Sequence, residues 1–243
     1  MILEVDAGNT RIKWRVFLDD IVQSRGVVAN EDIESWLRKL DQTPLLDKIR
    51  MSSVSDRSIV KRIALYSSQR KCLFFEAKSE KETAGVFCGY TDPSTMGVDR
   101  WMAIVAAYNR FRLPCVIVDA GSAITLDVVD GSGQHLGGYI MPGLEMVQKA
   151  LLAGTKNVSI KLLDMRHSAC LLPGQSTQQC VIRGQLLMLK SMVESIAESM
   201  QDQKMATQII LTGGNGEQLA TIFDDLVYFE PELVLDGLKF SVT

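Results

Sequence analysis

"ILEVDAGNTRIKW", residues 2–14, starts as a buried strand and then abandons hydrophobicity. Ile2, Leu3 and Val5 run into Asp6, and Ala7, Gly8, Asn9 and Thr10 are too small or too polar to pack a core. Ile12, Trp14 and Val16 then alternate as a second strand does. The same plan returns at "CVIVDAGSAITLDVVD", residues 115–130: an apolar run Val116–Val118, a turn Asp119-Ala120-Gly121-Ser122, then the alternation Ile124, Leu126, Val128. The two aspartates stand about one small domain apart. A duplicated α/β protein follows, with one strand–turn–strand unit in each of two lobes.

The stretches between the two units have mixed character. Residues 32–40 and 58–68 carry helical spacing, "KCLFFEA" (71–77) reads as a strand, and 99–112 reads as a helix leading to Pro114. The lobes are therefore expected at 1–112 and 113–243. In the second lobe "GGYIMPG" (137–143) reads as a strand end broken by glycine and proline, and 144–154 as a helix stopped at Gly154. Residues 178–200 read as a long helix, apolar on more than one side as at a lobe or subunit interface. "QIILTGGNGEQLATIF" (208–223) reads as a buried strand, a Gly-Gly turn and a helix.

Composition narrows the class. The chain has 243 residues, is 47% hydrophobic and carries 26 basic against 29 acidic residues, so it can build a sizeable core but has no basic footprint for nucleic acid. No apolar run approaches the roughly 20 residues of a membrane helix, and no leader pattern opens the chain, so a soluble cytoplasmic protein is expected. Cys72, Cys88, Cys115, Cys170 and Cys180 are odd in number and widely spaced, which suits neither a disulfide framework nor a zinc site. They are expected to be reduced, and mostly small core residues. His135 and His167, the only histidines, neighbour no candidate nucleophile, which argues against a Ser-His-Asp hydrolase. His167 and Cys170 share an i, i+3 spacing but lack further ligands, so they read as a surface pair.

A small turn after a strand lets backbone N–H groups converge on an anion, because no Cβ holds the ligand away. Asp6 repels phosphate, so it would act through a divalent cation such as Mg2+ or through an ordered water. Asn9 and Thr10 add side-chain donors, and Lys13 is a point charge for a terminal phosphate. An ordinary hairpin with a capping aspartate is the plain alternative. Neither copy is a Walker loop, GxxxxGK[ST], nor a dinucleotide fingerprint, GxGxxG.

Two Asp-Gly hairpins and a late Gly-Gly turn resemble the acetate and sugar kinase, heat-shock 70 and actin superfamily, with its ribonuclease H-like cores. Within it, "DAGNTRIK" (6–13), "GYTDPSTMGVDRW" (89–101), "DAGSAITLD" (119–127), "GGYIMPG" (137–143) and "TGG" (212–214), in that order, resemble the type III pantothenate kinases. Ser122 stands where that family commonly has threonine, and Cys180 where alanine is usual. The resemblance implies ATP and pantothenate as substrates, phosphorylation at the primary hydroxyl on the way to coenzyme A, and a homodimer with its acceptor site at the interface. It implies ATP contacts along Asp6, Ala7, Gly8, Asn9, Thr10, Arg11, Ile12 and Lys13 and at Ser122. It further implies a monovalent cation, K+ or NH4+, near Asp119, and a substrate contact at Thr177.

Residues 89–101 hold most of the candidate catalysis. Gly97, Val98, Asp99 and Arg100 open a helix whose N-terminus favours anions. Asp99 is the candidate base for the acceptor hydroxyl, with helix capping as its plain alternative. Arg100 suits a bidentate pair with a substrate carboxylate, and Tyr90 would line that pocket. Asp127 is either a supporting group behind Asp119 or a strand-end charge. A second reading keeps the fold and drops the activity, giving a nucleotide-binding regulator. A third is a kinase of another small hydroxy acid or an actin-like ATPase. Intact Asp6, Asp99, Arg100 and Asp119 argue against the regulator, and the short chain against actin-like assembly.

Overall fold

The computed structural model describes residues 1–19, 21–42, 45–154, 170–200, 206–223 and 227–241. His167 lies outside the described residues. The chain divides into two compact units: Met1–Ala84 with Tyr90–Ala106 and Leu233–Thr243, and Gly85–Gly89 with Ala107–Glu232.

In the first unit β1 (Ile2–Ala7), β2 (Arg11–Leu18) and β3 (Ile21–Ala29) form an antiparallel meander. Helix α1 (Ile33–Leu40) leads to β4 (Lys48–Ser53) beside β1, and α2 (Arg57–Arg70) to β5 (Leu73–Glu76) beside β4, both pairings parallel. The strand order is β3-β2-β1-β4-β5. Leu3, Val5 and Ala7 alternate onto one face, where they join Ile33, Trp36, Leu37, Ile59 and Ile63 from the helices. Each buried aliphatic side chain there contributes about 1.5–3 kcal/mol.

Glu4 points to the other face and is also buried. Arg15 holds it at 2.8 Å and Arg50 at 3.1 Å, while Arg15 also reaches Asp236 at 2.7 Å. Burial pushes the Glu4 carboxyl above its ordinary value against the pull of the two guanidinium groups. Asp236 lies on α7 (Leu233–Gly237), where a Cβ at Gly237 would stand 2.2 Å from the Met102 carbonyl. These contacts tie the last residues to the first unit. A single cut at 112/113 does not describe that return.

Two short strands, β6 (Glu82–Thr83) and β7 (Val86–Phe87), precede α3 (Val98–Phe111), which runs from the first unit into the second. The second unit repeats the plan. Strands β8 (Cys115–Ala120), β9 (Ala123–Val129) and β10 (His135–Pro142) are antiparallel neighbours; helices α4 (Leu144–Gly154) and α5 (Thr177–Ser199) follow, then β11 (Gln208–Thr212), α6 (Gly216–Ala220) and β12 (Val227–Phe229). β11 is parallel to both β8 and β12, so the order β10-β9-β8-β11-β12 matches the first sheet strand for strand. The protein is α/β with a duplicated core.

Val116, Val118 and Ala120 pack against Leu186, Leu189 and Val193 of α5 and Leu219 of α6. The buried residues of α5 form one stripe, and Leu187 and Met188 outside it are 48% and 62% exposed. "GGYIMPG" is not a broken strand end: β10 runs through to Pro142, tolerated because β10 is an edge strand and Pro142 its last residue. All five cysteines are free, but only Cys72 and Cys115 are buried, with burial pushing the Cys115 thiol up to about 12. Cys170 and Cys180 are exposed, which corrects the expectation that most are core residues. Among the described residues no helix is long and apolar enough to cross a membrane.

Candidate active site

Asp6 is the fifth residue of β1, directly opposite Lys13 on β2 and Ser52 on β4. Directly opposed residues project to the same face of a sheet, so Asp6 and Lys13 share one face at the strand end. The Gly8 amide donates to the Arg11 carbonyl at 3.0 Å and closes the turn. A Cβ at Gly8 would meet only that carbonyl oxygen, at 3.4 Å, and its φ lies outside the left-handed range. Neither packing nor backbone conformation therefore requires glycine there, which leaves room for a ligand to approach the backbone. Asn9, Thr10 and Arg11 are exposed. Ala7 and Ile12 are fully buried in the core, which leaves only their backbone for a ligand.

The second hairpin shares the frame but not the turn. Asp119 is again the fifth residue of its strand, opposite Thr125 on β9 and Thr212 on β11. Ala120 pairs with Ile124 where Ala7 pairs with Ile12, so this turn is one residue shorter, and the position that Lys13 holds is a threonine. The Gly-Gly turn sits on this hairpin. Gly213 has φ +85°, and a Cβ there would come within 2.3 Å of Asp119 Oδ1 and 2.6 Å of the Ala120 carbonyl carbon. Asn215 N donates to the Ala120 carbonyl at 3.0 Å, and Gly143 N to the Ser122 carbonyl at 3.2 Å. Ser122 is exposed at the tip.

Segment 90–101 belongs to the first unit. Asp92 Oδ1 accepts from Ser94 N at 3.0 Å and Ser94 Oγ at 2.7 Å, which holds its carboxyl below the usual range and fixes the turn before α3. Trp101 is fully buried and donates from Nε1 to Thr83 Oγ1 at 3.1 Å, anchoring the helix. Asp99 lies in the first turn and folds back, with Oδ1 accepting from the Arg100 amide at 2.8 Å. A Cβ at Gly97 would stand 2.7 Å from that oxygen, so glycine clears the space. Arg100 is buried, donates from Nη1 to the Tyr90 hydroxyl at 2.9 Å, and lies 5.7 Å from the Tyr90 ring centroid.

One arrangement was not legible in the sequence. His135 and Asp127 are both buried, with His135 Nε2 and Asp127 Oδ1 3.1 Å apart. The Gly89 amide donates to His135 Nδ1 at 3.3 Å, so the proton sits on Nε2 and is donated to Asp127. Asp127 is thus a buried partner of histidine, and His135 orients the residue before Tyr90. Only their shared strand hairpin hinted at this pairing.

The first unit thus carries Asp6, Lys13, Tyr90, Gly97, Val98, Asp99 and Arg100, and the second carries Asp119, Ser122 and Thr177, the exposed first residue of α5. Among the described residues no cluster of three or more His, Cys, Asp or Glu side chains could hold a metal ion. The donor set suits instead a cation bound by one carboxylate together with phosphate oxygens and water, as Mg2+ commonly is.

A family model described as type III pantothenate kinase matches residues 2–199. The type III pantothenate kinase of Chromohalobacter salexigens is 36% identical over 242 residues, covering 94% of this chain and 85% of that protein. That of Pseudomonas aeruginosa strain LESB58 is 36% identical over 248 residues, covering 99% and 98%. Among solved structures, a candidate Baf family transcriptional activator from Campylobacter jejuni superposes with TM-score 0.61 at 22% identity, covering 98% of this chain and 95% of that one. A candidate N-acetylmannosamine kinase from Listeria monocytogenes superposes with TM-score 0.54 at 11% identity, covering 98% and 96%.

Proposed function

The chain belongs to the type III pantothenate kinase family, and on that premise we propose that it transfers the γ-phosphoryl group of ATP to the primary hydroxyl of pantothenate, the first committed step toward coenzyme A. The observation that carries the assignment of roles is the group Asp99, Arg100 and Tyr90 at the start of α3.

Asp99 accepts the hydroxyl proton while the hydroxyl oxygen bonds to the γ-phosphorus and the bond from that phosphorus to the β,γ-bridging oxygen breaks, releasing ADP. Phosphoryl transfer is chiefly positioning and charge neutralisation, so the placement of the carboxylate beside the acceptor hydroxyl matters most. Gly97 and Val98 shape the approach to Asp99. Arg100 offers a planar fork to the pantothenate carboxylate, and its hydrogen bond to the Tyr90 hydroxyl holds that fork in one orientation. Thr177 is assigned a substrate contact from the family motif.

The hairpin from Asp6 to Lys13 binds the phosphates of ATP through backbone amides, with Lys13 neutralising the terminal phosphate, and Ser122 adds a hydroxyl from the second hairpin. Asp6 would hold Mg2+ and Asp119 a monovalent cation, K+ or NH4+. When bound, these ions offset the charge of the triphosphate. The exposed Leu187 and Met188 on α5 support a homodimer through that helix. Intact Asp6, Asp99, Arg100 and Asp119 favour the kinase over a regulator that only binds nucleotide.

Asp99→Asn tests the assignment. Turnover falls about 10²- to 10⁴-fold while ATP and pantothenate still bind by calorimetry. Unchanged turnover would remove Asp99 as the base.

A further inference from the structure

Asn30 follows the end of β3 in the turn Asn30–Asp32, yet it hydrogen-bonds the first hairpin. Its side-chain Nδ2 donates to the Gly8 carbonyl at 3.0 Å and to the Asn9 carbonyl at 3.0 Å. Its backbone amide donates to the Thr10 carbonyl at 3.1 Å. Three consecutive carbonyls of the turn therefore face one residue. Two carbonyl oxygens beside the amide group also settle its orientation, since only the NH2 end can donate to both.

In a planar trans peptide the carbonyl and the following N–H point in opposite directions. With the carbonyls of Gly8, Asn9 and Thr10 turned toward Asn30, the N–H groups of Asn9, Thr10 and Arg11 leave on the opposite side. Among the described residues no backbone carbonyl accepts from the Asn9 or Thr10 amide. Consecutive amides aimed one way form a cradle for an anion.

We propose that Asn30 is a positioning residue for ATP: by holding the three carbonyls it presets the turn amides toward the phosphates, without touching the nucleotide. This rests on the reading of the hairpin as the phosphate site. Asp is nearly the same size as Asn but presents oxygen where NH2 stood, so Asn30→Asp repels the carbonyls that Asn30 holds, whereas Asn30→Ala only releases them.

The test measures KM for ATP, KM for pantothenate, turnover and melting temperature for Asn30→Ala, Asn30→Asp and, as a control on the hairpin itself, Asp6→Asn. Two lost hydrogen bonds predict a rise in KM for ATP of about tenfold for Asn30→Ala, and a larger one for Asn30→Asp. KM for pantothenate stays within about twofold of wild type, small against the tenfold, or about 1.4 kcal/mol, expected for ATP. A rise for Asp6→Asn with none for either Asn30 variant overturns the proposal and leaves the hairpin reading standing. No rise in any of the three overturns both. Equal rises in both KM values with a lowered melting temperature would mean general loosening of the fold, and also overturn it.

Discussion

Replacing Gly8 by alanine separates a glycine kept for a ligand from one kept for the fold. The added Cβ would meet a single atom, the Arg11 carbonyl oxygen at 3.4 Å, in a backbone conformation open to any residue. At such a site alanine stabilises by about 0.4–1 kcal/mol, because the unfolded chain loses freedom. The melting temperature should hold or rise by a few degrees. ATP fares differently. A methyl group on the turn keeps a phosphate oxygen from hydrogen-bonding distance, and one charge-assisted hydrogen bond is worth about 1.5–3 kcal/mol, or roughly ten- to a hundredfold in affinity. Gly213→Ala is the matched opposite: at φ +85° with Asp119 Oδ1 2.3 Å away, it should lose at least about 1–3 kcal/mol of stability. The assays are thermal denaturation and titration calorimetry with ATP. If Gly8→Ala binds ATP like wild type, phosphates do not approach the turn at Gly8. If instead it melts earlier, the glycine serves the fold, and the reasoning from its open surroundings is wrong.

Arg100→Lys keeps the charge but loses the fork and its hydrogen bond to the Tyr90 hydroxyl, so KM for pantothenate should rise about tenfold or more. Pantothenyl alcohol, which lacks the carboxylate, should be affected little; an equal loss for both would place Arg100 elsewhere than at the carboxylate. Burial pulls the Asp130 carboxyl up, but hydrogen bonds from Ser132, Gln134 and Gly133 outweigh it and leave it below its ordinary value of 3.8. A depressed carboxylate stabilises the fold above that ordinary value and ceases to as pH falls through the folded one. Asp130→Asn keeps the acceptor and loses the charge, so denaturation curves of wild type and variant should lie apart at pH 7 and converge on acidification; a constant gap would refute the sign.

Much of the fold could be read from local pattern. Both Asp-Gly turns stand out because apolar strands stop abruptly at Asp6 and Asp119, and α4 announces itself by its spacing and by Gly154. The edge strand β3 is harder, since it has no fully buried residue and so little hydrophobic contrast. The return of the C-terminus depends on Arg15 meeting Asp236, a pairing across most of the chain that no local pattern encodes. The site followed the same division. Asp99, Arg100 and the hairpin residues sit within short motifs. Asn30 acts across a strand pair, and His135 and Asp127 read as ordinary polar residues until their burial is known.

The most direct measurement is ADP release in a coupled assay with ATP, magnesium and pantothenate, run in potassium and in sodium buffer. Turnover that requires pantothenate, and that is faster in potassium, is the predicted result. Absence of pantothenate-dependent ADP release in either buffer, from protein shown to be folded, would contradict the kinase assignment; equal rates in both buffers would contradict the monovalent-cation role near Asp119.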